Sequence, residues 1–161
     1  MVDTVSEILA TIIKDTGKVG TSVTDAIADI ASGAVHGVVQ IGADLTQGAK
    51  GLMLGVLRGT KQTGTAVLDT IHHTARVAVR DTAKVGGDVE AAATGLVAGA
   101  IEGAKEVGVS AEDAAAAAAN GALKAASRVG STAVHTVRKA VSKPINGVNV
   151  VLKEPALAKA A

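Results

Sequence analysis

The sequence predicts an all-α chain of long amphipathic helices carrying an eleven- and twenty-two-residue repeat, packed by glycine zippers into an extended assembly. Three observations carry this expectation. Uncharged residues recur at every eleventh position along most of the chain, glycines recur at every twenty-second, and Phe, Tyr and Trp are absent. A globular core normally draws much of its buried area from aromatic rings. A chain that is 48% hydrophobic without any ring is therefore expected to pack helix on helix through small side chains.

The apolar pattern consists of four lanes read at every eleventh residue, beginning at Ile8, Leu9, Ile12 and Thr16 and running to Val141. They hold no charged residue in a chain that is 19% charged. Eleven residues in three turns is about 3.67 per turn, close to the α-helical pitch of about 3.6. At that pitch the lanes adjoin and form one apolar face. The charges collect opposite, in lanes such as Asp25, His36, Gln47, Arg58, Asp69 and Arg80, with alternating signs typical of a solvated face.

The first element is expected to begin at Asp3 or Thr4, with Thr4 and Glu7 as a capping box. Beyond it the apolar phase never slips between Ile8 and Val141. The span is thus either one helix, roughly 200 Å long at about 1.5 Å per residue, or several helices whose breaks fall on whole repeats. The best internal break lies near 108–110, where Gly108 can end a helix and Ser110 with Asp113 can cap the next. Pro144 stops the helical pattern. This divides the chain into a helical repeat region, 1–143, and an irregular tail, 144–161, in which residues 148–152 have the composition of a short strand.

The glycines fall into two sets. Gly20, Gly42, Gly64, Gly86, Gly108 and Gly130 occupy every twenty-second position. They are expected within the apolar face rather than at turns, each facing a partner helix. Gly33 and Gly37, then Gly51, Gly55 and Gly59, then Gly95, Gly99 and Gly103 form ladders with a glycine at every fourth position. Each glycine inside a helix costs about 0.8–1 kcal/mol relative to Ala, and close approach of a second backbone offsets that cost. A very long apolar face is most simply covered by other copies of the chain. The expected function is a non-enzymatic, self-assembling structural protein, a homo-oligomeric fibre, tube or layered bundle.

Reactive chemistry is not indicated. His36, His72, His73 and His135 lie on polar lanes without a metal-ligand spacing, and cysteine is absent. No phosphate-loop, dinucleotide or nucleophile-elbow motif occurs, so no cofactor, metal or small-molecule substrate is expected. A net charge of +1 and the lack of aromatic stacking groups argue against nucleic acid. The N-terminus lacks the basic region of a secretory signal and is interrupted by Asp3 and Glu7, and an uncharged stretch such as Ala91 to Ile101 is too short to span a bilayer. A cytoplasmic location follows as the expectation.

The segment GAVHGVVQIGADLTQGAKG, 33–51, resembles the eleven-residue repeats of synucleins. The style of TGKVGTSVTDAI and RGTKQTGTAVLDTI is similar to the repeats of perilipin-type lipid-droplet coats. That resemblance, in repeat style across about 8–141, implies helices able to lie on a lipid surface. It supplies the alternative function, an amphipathic coat on a droplet, polymer granule or membrane. The balanced charge and the glycines within the apolar face depart from those families.

Overall fold

A computed structural model describes residues 23–42, 44–61 and 66–152, and all regular structure among them is helical. Six helices follow in order: α1, Val23–Ile41; α2, Leu45–Lys61; α3, Val67–Lys84; α4, Val89–Val107; α5, Ala111–Val129; α6, Ser131–Val141. The first five begin at positions 23, 45, 67, 89 and 111, so a new helix starts at every twenty-second position. The sequence leaves open one long helix or several with breaks on whole repeats, and the described chain takes the second course.

The breaks fall on the in-step glycines. Gly42, Gly86 and Gly108 have φ of 71°, 73° and 78°, and Gly130 has φ 155°. This corrects the expectation that these four lie on the helix face. The double repeat is one helix and its turn, and the glycine keeps step because the turn does. Gly108 shows the mechanism: it takes the left-handed conformation after α4, its N–H bonds to the Ala104 carbonyl, and Val109 N–H donates to the same oxygen at 3.1 Å. Gly20 and Gly64, and the Asp3–Glu7 start signal, lie outside the described residues.

Helix starts follow from local chemistry. Asp44 Oδ1 accepts from Thr46 N–H at 2.9 Å, Asp88 from Ala91 N–H at 3.1 Å, and Ser110 Oγ from Asp113 N–H at 3.0 Å. Each satisfies a donor left open at a helix start. The 108–110 break thus has the cap read from sequence. At the other end α6 stops at Val141, before Pro144. Residues 148–152 are not a strand; Ile145 and Val148 form an isolated antiparallel bridge around Asn146 and Gly147, both with positive φ.

One lane is buried throughout, while alternate members of the other three, such as Gly86, Val107 and Val129, fall near helix ends and are exposed or half-buried. Every residue of the Thr16 lane from Ile27 to Val137 is buried. Its threonines Thr60 and Thr82, like Thr70 and Thr74, donate to the carbonyl of the preceding turn at 2.7–2.8 Å, so their hydroxyls are satisfied within the helix. A second row lies outside the four lanes: Val35, Leu57, Val79, Ile101, Leu123 and Ile145 are all buried and also keep the twenty-two-residue step. With two covered sides, α2 and α4 become central rather than one-sided helices, and one core cluster runs from α1 to the tail.

The order of packing is linear. Each described helix packs on the next in sequence and on the next but one, and on no helix further away. Alternate helices therefore form two layers, α1–α3–α5 and α2–α4–α6. The α2–α4 pair is parallel: Gly95, Gly99 and Gly103 lie in turn against Thr46, Lys50 and Leu57.

Gly108→Ala forces a side chain into the left-handed region and should lower stability by about 1–2 kcal/mol. Gly37→Ala, inside α1 with no neighbour within 4 Å of its added carbon, should raise it by about 0.5–1 kcal/mol. Urea unfolding of the two variants checks the contrast.

Candidate functional site

The molecule's most specific surfaces are the seams between alternate helices, where the second glycine set acts. A carbon added at Gly95 would overlap the Thr46 carbonyl, and one at Gly99 would lie 2.6 Å from the Lys50 carbonyl. Gly121 is held in the same way against the His72 carbonyl. In these places backbone meets backbone, which only glycine permits. Gly103 differs, since its added carbon would meet the flexible end of Leu57 at 2.6 Å. Gly51, Gly55 and Gly59 are buried on α2.

The seams share one register. Thr46 faces Gly95, His72 faces Gly121, and Ser32 on α1 hydrogen-bonds Asp81 on α3, all with the same sequence separation. Asp81 occupies in α3 the place that Gly103 holds in α4, and Ser32 the place of Leu54. Burial of Asp81 opposes its ionisation. Hydrogen bonds from Ser32 and Arg80, with the charges of Arg80 and Lys84, outweigh that effect and hold the carboxyl below its ordinary range.

Ion pairs line the edge of the α2–α4 seam. Lys50 Nζ lies 2.6 Å from Glu102, and Arg58 grips Glu106 with Nε at 3.0 Å and a second nitrogen at 3.1 Å. The hydrogen bonds from Arg58 lower the Glu106 pKa; slight burial opposes this and the charges of Arg58 and Lys61 add to it.

On the α3–α5 seam, Arg76, Arg80 and Lys84 project along one side of α3. Together with Ala125, Arg128 and Val129 of α5 they enclose a groove of about 360 Å³. His73 Nδ1 lies 3.2 Å from an Arg76 nitrogen. The pKa of half-buried His72 is lowered, first by burial, then by the charges of Lys124 and Arg76, with His73 adding a little and Asp69 opposing.

On α1, the first described helix, the same helical positions have no covering helix among the described residues. Gly33 and Gly37 are exposed, with nothing within 4 Å of an added carbon. They are the counterparts, three double repeats earlier, of Gly99 and Gly103. The sequence places both ladders on packing faces; the open ladder on α1 and the cationic groove come into view only with the register between helices.

Among the described residues, no group of three or more His, Cys, Asp or Glu side chains is placed to hold a metal, and no helix is long and apolar enough to cross a membrane. The sequence matches no protein-family model and is not significantly similar to any curated protein.

Gly95→Ala should destabilise by about 1–3 kcal/mol, because a backbone carbonyl cannot step aside. Gly103→Ala should lose less, and the pair of unfolding curves measures the difference. Acid should weaken the fold in two windows. His72, with its folded pKa depressed, favours the native state while neutral. That contribution starts to fall as pH drops through about 6.5, the ordinary imidazole value, and is gone below the folded value. Asp81 favours the native state above the ordinary carboxylate range and loses its contribution as pH falls through its own depressed value. Thermal melts of wild type and His72→Gln from pH 8 to pH 3 should show the upper window vanish in the variant alone.

Proposed function

We propose that this is a non-enzymatic structural protein that assembles with copies of itself by continuing the helix pairing of its seams from one chain to the next. The observation that carries the reading is the exposed Gly33–Gly37 ladder on α1. The same positions on α4 are filled by α2. A helix of a second copy can take against α1 the place that α2 takes against α4.

The packing order supports the reading. Helices that contact only their near neighbours stack in one dimension, and nothing in such a pairing rule closes the structure. An unsatisfied end then accepts another unit, and a head-to-tail contact that does not close gives a fibre. The expectation of one long face buried wholesale by sister chains is narrowed here: most of that face is covered by the chain's own helices. Assembly is then confined to the open face of α1.

The test is the mass of the particle in solution, by size exclusion with light scattering, together with negative-stain microscopy. Wild type should form multiples of the 15.7 kDa chain, their share growing with concentration. Gly33→Leu/Gly37→Leu should leave helix content and melting temperature at least as high as wild type, since both sites are open, and should be monomeric. A wild type that stays monomeric at every concentration, or a double variant that assembles normally, overturns the proposal. A monomer that floats with liposomes would instead favour the coat function implied by the synuclein- and perilipin-like repeats.

A further inference from the structure

The two central seams have one backbone geometry and opposite electrostatics. On α2–α4, Arg58 pairs with Glu106 and Lys50 with Glu102. Advancing each residue by one double repeat gives the counterparts on α3–α5: Arg80 with Arg128, and His72 with Lys124. Where one seam joins opposite charges, the other sets arginine beside arginine, and a lysine beside a histidine whose neutral form is favoured. The groove is the physical result, with Arg80 and Arg128 both in its wall and Arg76 and Lys84 a helical turn to either side.

Like charges held in register destabilise a fold, and guanidinium groups bind phosphate oxygens through paired hydrogen bonds. The nearest carboxylate, Asp81, offsets only Arg80, with which it pairs at 3.1 Å. Asp81 is nearly fully buried and committed to Ser32 and Arg80. Among the described residues no carboxylate lies within ion-pair distance of Arg76, Lys84 or Arg128. Asp69 bears on His72 and is outweighed there by Lys124 and Arg76 together with burial.

We infer that the α3–α5 groove is a binding site for a multiply charged phosphate anion, which joins Arg80 to Arg128 as Glu106 joins Arg58 to its own seam. Arg76, Arg80 and Lys84 stand one helical turn apart, so their attachment points span roughly 12 Å of helix. That length suits a chain of phosphates or a phosphomonoester headgroup better than a single small ion. Ala125 and Val129 supply an apolar floor, and Val129 is 51% exposed. The chain has no aromatic side chain on which a base could stack, so recognition rests on phosphate rather than nucleobase. The site exists in a single chain and does not depend on assembly.

The whole chain is titrated with tripolyphosphate by calorimetry and followed by thermal melting. Wild type should bind one tripolyphosphate per groove and melt at a higher temperature in its presence. Arg128→Glu restores to this seam the opposite charges of the other one. It should melt higher than wild type without ligand, bind at least about tenfold more weakly, and show no ligand-induced shift. Lys105→Glu, on exposed α4 surface, changes net charge equally and should bind as wild type does. Flotation with phosphatidate and phosphatidylcholine vesicles separates the sources. Binding to soluble tripolyphosphate assigns a free phosphate, and Arg128-dependent binding to phosphatidate vesicles alone assigns a lipid headgroup. Equal weakening by Arg128→Glu and Lys105→Glu, or no binding to either probe, overturns the inference.

Discussion

The structure depends on one constraint: at Gly95, Gly99 and Gly121 the carbonyl of one helix occupies the space a side chain would need on another. Such a contact is short-ranged and unforgiving. Shifting α4 by one residue against α2 would bring Thr94 or Leu96 toward the Thr46 carbonyl in place of Gly95. The glycines therefore set register as well as distance. Register in turn places Glu102 beside Lys50 and Glu106 beside Arg58. The ion pairs are exposed and contribute little each; they follow from the glycine contact and do not create it.

A core without aromatic rings works because of this closeness. Ala93, Ala100, Ala104, Ala115, Ala118 and Ala122 are fully buried. Each removes little area from water, so hydrophobic transfer per residue is modest. Close approach compensates by raising the number of atoms in van der Waals contact. The larger buried side chains are shared between the lanes, as at Ile27, Leu52, Met53, Ile71 and Leu96, and the row that includes Leu57, Val79 and Leu123. Because no described helix packs beyond its second neighbour, stability is local. A defect in one seam weakens adjacent helices first, as in other linear helical arrays.

Much of this fold is legible in the sequence, and what is not has a physical reason. The all-helical class, the fully buried lane and the cap at Ser110 follow from periodicity and local chemistry, which act within one or two turns. Gly108 is legible as a helix end because Ser110 and Asp113 follow it, but the role of Gly42, Gly86 and Gly130 escapes a sequence reading because a glycine at every twenty-second position fits a lane on a straight helix and a turn after a short one equally well. Only the backbone angle distinguishes them. The row from Val35 to Ile145 is visible in principle, yet three of the five residues midway between its members, Thr46, Glu90 and Glu112, are polar and hide it from an eleven-residue reading. The groove is hidden more deeply. A net charge of +1 is silent about where charges gather. Arg80 and Arg128 look like separate surface residues until the register of α5 against α3 is known.

Repetition gives the charge pattern its meaning. In an irregular protein two arginines at adjacent positions can relax apart through backbone shifts. Here the Gly121 contact fixes α5 against α3 as Gly95 fixes α4 against α2. Arg80 and Arg128 are therefore held along one groove by packing that gains nothing from their charges. The neighbouring seam shows what the same geometry accommodates when its charges are opposed, since a glutamate at the equivalent position closes a two-pronged contact with arginine. A seam that keeps arginine there forgoes that contact while keeping the groove open. Stability alone supplies no reason for that choice; an anion arriving from outside does, because it finds cations already spaced and held by a backbone contact that it does not have to form.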